Sequence, residues 1–148
     1  MAKRRVVVTG MGAITPIANT ATQSWSGVLA GVSGIQAITH FDVSAFATQF
    51  AGLVNDFSLL DVISPKDCKK MDLFIQYGVL ASHEAVTQSG ILDSQYDETR
   101  IGCALGSGIG GLETIEQNYA KLLKSGPKRV SPFYIPSSIV NMISGQVA

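Results

Sequence analysis

Charge is scarce in this chain, and so are the residues that build metal and redox sites. Only 15% of the 148 residues are Asp, Glu, Lys or Arg, and eleven cations balance eleven anions. Apolar residues make up 46%, too many for a disordered chain. An isolated small domain needs more charged surface than this. The balance suits a piece of a larger body, with faces covered by further chain or by a partner subunit. The two cysteines, Cys68 and Cys103, stand in neither C-x-x-C nor metal-ligand spacing, which argues against a disulfide scaffold and a zinc site. The two histidines, His40 and His83, are far apart and have no acid or metal spacing around them, so both read as structural. No cofactor is expected. No apolar run reaches membrane-span length. Residues 6–8 are too short for a signal-peptide core after the basic start, and the chain reads as cytoplasmic, without a membrane partner. No internal repeat or low-complexity segment is present.

The cations that are present cluster. Ten of the eleven fall in residues 3–5, 66–70 and 121–129, whereas the acids are scattered. A neutral chain with local basic patches points to an acidic partner met at one face, not to a nucleic-acid groove.

Strands alternate with helices along the chain. Residues 3–9 (KRRVVVT) read as a buried strand, and Gly10-Met11-Gly12 turns the chain. Asn19 or Thr20 caps a helix through about Ala30, closed by Gly31. Residues 32–49 read as irregular and 51–55 as a short strand. Ser64-Pro65-Lys66-Asp67 is a capping signature that opens a long helix to Ser89, stopped by Gly90. From Met71 to Val86 that helix is apolar or small on nearly every side, as expected inside a large body, and Gly78, Ala81 and Ala85 permit close backbone approach. Residues 101–106 read as a strand with Cys103 in the core, residues 112–124 as a helix, and 131–136 as an extended segment bounded by prolines. A last helix begins at Ser137 and is still running at Ala148, as in an incomplete fold. The class expected is α/β, with parallel strand pairing.

Gly106, Gly108 and Gly111 match the dinucleotide-binding fingerprint G-x-G-x-x-G. The match fails in its surroundings. The position about twenty residues on holds no acid at the end of a strand, and Glu113 and Glu116 in the following helix would repel a pyrophosphate. The glycines therefore serve close approach or positive φ, and the ligand is not a nucleotide. Cys68, between Lys66 and Lys69 with no evident histidine partner, reads as a surface cysteine on a basic turn.

Four stretches in register, "RRVVVTGMGAITPIA", "MDLFIQYG", "IGCALGSGIGG" and "SPFYIPSSIVNM", resemble the N-terminal part of the 3-oxoacyl-[acyl-carrier-protein] synthase II family. These are elongating condensing enzymes of bacterial type II fatty-acid synthesis, in the thiolase-like superfamily. The resemblance covers the whole chain in order. It implies a layered αβαβα fold, here incomplete, in a homodimer. It also implies acyl transfer from a carrier protein to a cysteine thiolate, followed by attack of a carbanion from decarboxylated malonyl-carrier. The family's nucleophilic cysteine lies beyond Ala148, and its two histidines and lysine lie further on, so no catalytic residue is assigned. Residues 1–148 are expected to be a β-ketoacyl synthase N-terminal domain that stops before that cysteine. The alternative is a truncated, non-catalytic product that at most binds the carrier protein or other subunits. The resemblance places Gly108 and Ile109 in the acyl pocket with Phe133 and Tyr134, the latter pair coming from the partner subunit, and leaves open which of the two faces inward. It places the acidic acyl carrier protein against Lys66, Lys69 and Lys70, with Lys128 and Arg129 as a second patch. At i, i+3, i+4 the three lysines would share one face at a helix N-terminus, where the dipole disfavours them.

An acyl-pocket role for Ile109 has a direct consequence. In the complete enzyme, Ile109→Phe should cut activity on long acyl chains more than on short ones. Equal loss at all lengths, measured across a series of acyl substrates, would make Ile109 a packing residue instead.

Overall fold

The computed structural model describes residues 3–59 and 62–148; Met1 and Ala2 of the basic start lie outside them. Among the described residues six α-helices carry the architecture: α1 Ala21–Leu29, α2 Pro65–Cys68, α3 Leu73–Ser89, α4 Leu112–Ser125, α5 Tyr134–Ser138 and α6 Met142–Val147. Two short strands, β1 Ile35–Ala37 and β2 Phe50–Gly52, pair antiparallel with Gln36 opposite Ala51.

The capping residues act as their chemistry dictates. Thr20 accepts a hydrogen bond from the Gln23 N–H and starts α1. Ser64 does the same for Asp67 at the head of α2, with Pro65 in the first turn. Gly90, at φ 64°, ends α3 in the left-handed conformation that glycine adopts without strain.

Helix α3 is the spine. Its buried face, Ile75 and Val79, packs on Ile143 of α6, with Met71, Phe74 and Met142 around them. Gly78 lets α6 in: a Cβ there would lie 2.6 Å from Ile143 Cγ2. Ala81 and Ala85 receive Gly12 and Gly10, whose missing side chains leave room for the α3 backbone carbonyls. Glu84 fastens the same side. Its carboxylate accepts from the Ala13 N–H at 3.0 Å and from the Ala21 N–H, at the head of α1, at 3.0 Å. The Gln88 side chain accepts from the Met11 N–H at 2.6 Å.

Several expectations need correction. Residues 3–9 form no strand, and Val6 is 91% exposed; nor do residues 101–106, where Cys103 is exposed, not in the core. A β-branched run becomes a strand only when a neighbour satisfies its backbone groups, and among the described residues neither run has one. The only pairing among them is antiparallel, and its first strand, β1, lies in a stretch read as irregular. The long helix breaks in two at residues 69–72, because Asp72 bonds the Phe74 N–H and caps a second helix. Helix α3 is half-buried, not enclosed: Ile75 and Val79 are its buried residues, while most of its other positions keep partial exposure. Residues 131–136 are not extended: α5 starts at Tyr134 and holds Pro136 in its first turn, where a proline forfeits no helical hydrogen bond. The last helical stretch is correspondingly split into α5 and α6.

The accessible surface is 11133 Å², against roughly 7,200 Å² for a compact monomer of this mass by the usual scaling. The composition had pointed the same way: much apolar side chain stands open, including Trp25 and Leu123.

Because Glu84 serves two backbone donors, Glu84→Ala should lower stability by about 0.5–2 kcal/mol, the range for losing a helix cap. Glu84→Gln, which keeps an acceptor oxygen, should lose less. Urea unfolding of the three proteins checks the order, and equal stability would remove Glu84 as a tie.

Candidate functional site

The basic cluster stands on α2 and the link that follows it. Lys66 and Lys69 are exposed. Lys70 is not free in the same sense. Its ammonium bonds Asp67 Oδ1 at 2.6 Å and lies 5.6 Å from the centre of the Phe133 ring, a cation–π distance. Asp67 also accepts from the Ser64 hydroxyl at 2.7 Å. The Lys70 ammonium, and then the Ser64 hydroxyl, hold the Asp67 carboxyl below its ordinary range. Asp67 thus stays ionised, and the pair intact, at neutral pH, and loses the interaction only as pH falls below the ordinary aspartate value.

The helix break changes the electrostatics expected of the three lysines. Lys69 is the C-terminal cap of α2 and Lys70 follows it, so the trio does not ride one face of a long helix. Two of the cations lie at the carbonyl end of α2, where the dipole favours them.

Phe133 is placed by α4. Asn118, buried on that helix, anchors to the Thr114 carbonyl at 2.8 Å and accepts from the Ser131 N–H at 2.9 Å. The Ser131 hydroxyl oxygen in turn accepts from the Phe133 N–H at 3.1 Å. The ring then borders a cavity of about 150 Å³ shared by Lys70, Met71, Ile75, Pro136 and Met142. Tyr134 opens α5, is half-buried, and does not line this cavity.

The glycine loop meets α5. The Gly111 N–H donates to the Ser138 carbonyl at 2.9 Å. Gly110, at φ 85°, turns close against that carbonyl, and a Cβ at Gly111 would lie 2.8 Å from the Ser137 carbonyl. Gly106 and Gly108 have open space around them. Of the three fingerprint glycines, only Gly111 is required by packing. Asp72 shows why no pyrophosphate belongs here: its carboxylate accepts from the Thr114 N–H, at the head of α4, at 3.0 Å. An anion site at that helix end is already filled by a fixed negative charge.

Ile109 is 71% exposed, and neither this cavity nor a larger one of about 410 Å³ along α3 is lined by it or by Gly108. Lys128 and Arg129 project from a 3₁₀ turn, Pro127–Arg129, and are exposed. The structure therefore joins Lys70 to Phe133 but does not bring Ile109 into one pocket with them. Sequence reasoning missed Asp72, Asn118 and the Asp67–Lys70 pair. Asp72 was legible as a capping aspartate before an apolar run; Asn118 carries no local signal, since its partner lies thirteen residues on.

Residues 3–148 match the family model described as Beta-ketoacyl synthase, N-terminal domain. The chain belongs to that family. A 3-oxoacyl-[acyl-carrier-protein] synthase 2 of Vibrio harveyi is 51% identical over all 148 residues, which are 36% of its length. The chain thus spans about a third of the curated relatives it matches. Among solved structures, the ishigamide ketosynthase/chain length factor is 30% identical with a TM-score of 0.80, over 99% of this chain and 37% of that one. A type II polyketide-synthase acyl-carrier protein in complex with its ketosynthase bound to the hexaketide matches at 25% identity and a TM-score of 0.74, over 95% of this chain and 38% of that one. The fold is accordingly the N-terminal part of a ketosynthase, as the four sequence stretches implied.

Proposed function

We propose that this chain is the N-terminal part of a fatty-acid-elongating condensing enzyme, an acyltransferase that joins an acyl thioester to malonyl-acyl carrier protein with loss of carbon dioxide. The observation that carries this reading is the match, 51% identical over all 148 residues, to a 3-oxoacyl-[acyl-carrier-protein] synthase 2. Its share of the work is binding. Lys66 and Lys69 with Lys128 and Arg129 meet the acidic carrier protein, and Gly108, Ile109, Phe133 and Tyr134 line the acyl pocket. The ketosynthase solved with its carrier protein supports a carrier as partner. The nucleophilic cysteine belongs to the part that follows in the family. The working enzyme is a cytoplasmic homodimer, and its second subunit covers apolar surface left open here and completes the pocket.

Two outcomes test this. The 148-residue chain alone should form no acyl-enzyme and release no 3-oxoacyl product, because neither Cys68 nor Cys103 stands at the position of the family's nucleophilic cysteine, which carries the acyl group. Acylation above blank would overturn the assignment of chemistry to the following part. In the complete enzyme, Lys66→Glu with Lys69→Glu should raise the apparent KM for carrier-bound substrate several-fold and flatten its salt dependence. Exposed charges of this kind speed encounter more than they fix affinity. Turnover of an acyl-pantetheine thioester, which brings no acidic carrier, should change little. If both substrates suffer alike, the patch is structural.

A further inference from the structure

Helix α2 is four residues long, too short to hold itself, yet it and the link behind it carry Lys66, Lys69 and Lys70. Its last carbonyls have no partner within the helix. One side chain of α3 meets them. The Gln76 amide nitrogen donates to the Met71 carbonyl at 2.8 Å and to the Cys68 carbonyl at 3.3 Å. Two acceptors on one side fix which way this amide points, because its own oxygen would repel both. The Cys68 carbonyl also accepts from the Met71 N–H at 3.1 Å, which closes the link into a tight turn. The two clamped carbonyls bracket Lys69 and Lys70. The bonds that Ser64 and Lys70 make to Asp67 stay within residues 64–70 and do not reach α3. Gln76 follows Ile75, which is 1% exposed in the core, so the clamp is mounted on a packed turn of α3.

We propose that Gln76 is a positioning residue for carrier docking: its amide locks the link between α2 and α3 and so holds the basic cluster in the orientation that an acidic carrier protein meets. This rests on the reading of that cluster as the docking surface. A patch already in place spares the partner the entropy of ordering it on binding. With the amide gone, two carbonyls lose their donor and the link opens to water. The charges are then kept, but their direction is not. Gln76→Met keeps the length of the side chain and removes both donors.

The test uses the complete enzyme. Gln76→Met should raise the apparent KM for carrier-bound substrate about two- to tenfold, the factor equivalent to ordering one loosened side chain at an interface. Turnover of an acyl-pantetheine thioester should change little. An unchanged KM overturns the proposal, and so does an equal loss with both substrates, which would make Gln76 a packing residue. Coupling gives a second arm. In a Lys66→Glu, Lys69→Glu background, Gln76→Met should raise KM by less than in the parent enzyme, because the cations it positions are gone; additive effects refute the link between them. Hydrogen exchange reads the clamp without any activity. The Lys70 and Met71 amides, bonded to the Asp67 and Cys68 carbonyls, should exchange several-fold faster in Gln76→Met, and unchanged protection refutes the clamp. The docking reading fails in a different way. If the Lys66 and Lys69 variants leave the KM for carrier-bound substrate unchanged while exchange responds to Gln76→Met, the clamp stands but the proposal falls with the docking reading.

Discussion

Two carboxylates on one helix hold this chain together. Asp72 at the head of α3 and Glu84 in its fourth turn are twelve residues apart, about 18 Å along a helix axis. Each reaches across to the N-terminus of another helix, Asp72 to α4 and Glu84 to α1. Helix N-termini present unpaired N–H groups and a positive dipole end, so a carboxylate is the side chain that meets both needs. The apolar contacts are few: Ile75, Val79 and Ile143 are the buried core cluster. With so little hydrophobic burial, the direction in which α1 and α4 leave α3 depends on these polar ties. They also explain why Asp72 is an aspartate. It closes the first turn of its own helix through one oxygen and that of α4 through the other.

The candidate site inherits its geometry from that arrangement. Asp72 fixes α4, α4 carries Asn118, Asn118 fixes Ser131, and Ser131 orients Phe133. From the other direction, α2 and the link after it carry Asp67 and Lys70 to the same ring. Phe133 and the Asp67–Lys70 pair, separated by more than sixty positions in sequence, are therefore one mechanical unit. Ile109 stands outside it, on a loop anchored at Leu105, which bonds the Ser144 hydroxyl, and at Gly110 and Gly111. In a ketosynthase body nearly three times this length, the faces still open around Ile109 have further chain to meet them.

What the sequence revealed and what it hid divide along the range of the interactions involved. Caps and stops act within four residues, so Thr20, Ser64 and Gly90 were legible and mark the boundaries observed. Close-packing small residues were legible as well: Gly78, Ala81 and Ala85 are where other segments touch α3. The two stretches read as strands, 3–9 and 101–106, carry the right residues, yet a strand is a property of a pair, and pairing is long-range. The helix break at Asp72 was a local signal overridden by the apolar pattern around it, which continues through Met71 and Leu73 as if no cap stood between. The family emerged from four stretches in register, because their order carries more information than any single glycine motif.

The break also changes what the lysine cluster means. Three cations at the N-terminus of a long helix would oppose its dipole, and a function would be needed to explain their presence. Here only Lys66 lies within the four-residue α2, Lys69 and Lys70 follow it, and Asp67 neutralises Lys70. The electrostatic cost that pointed to a docking role largely disappears. What remains is exposure: Lys66 and Lys69 face solvent without a bonded acid among the described residues, whereas Lys70 is spent on Asp67 and Phe133. Charges free of intramolecular partners are those an acidic surface can reach without a desolvated exchange of ions. The cluster thus separates into an outward pair suited to long-range attraction and an inward member whose charge acts on an aromatic ring.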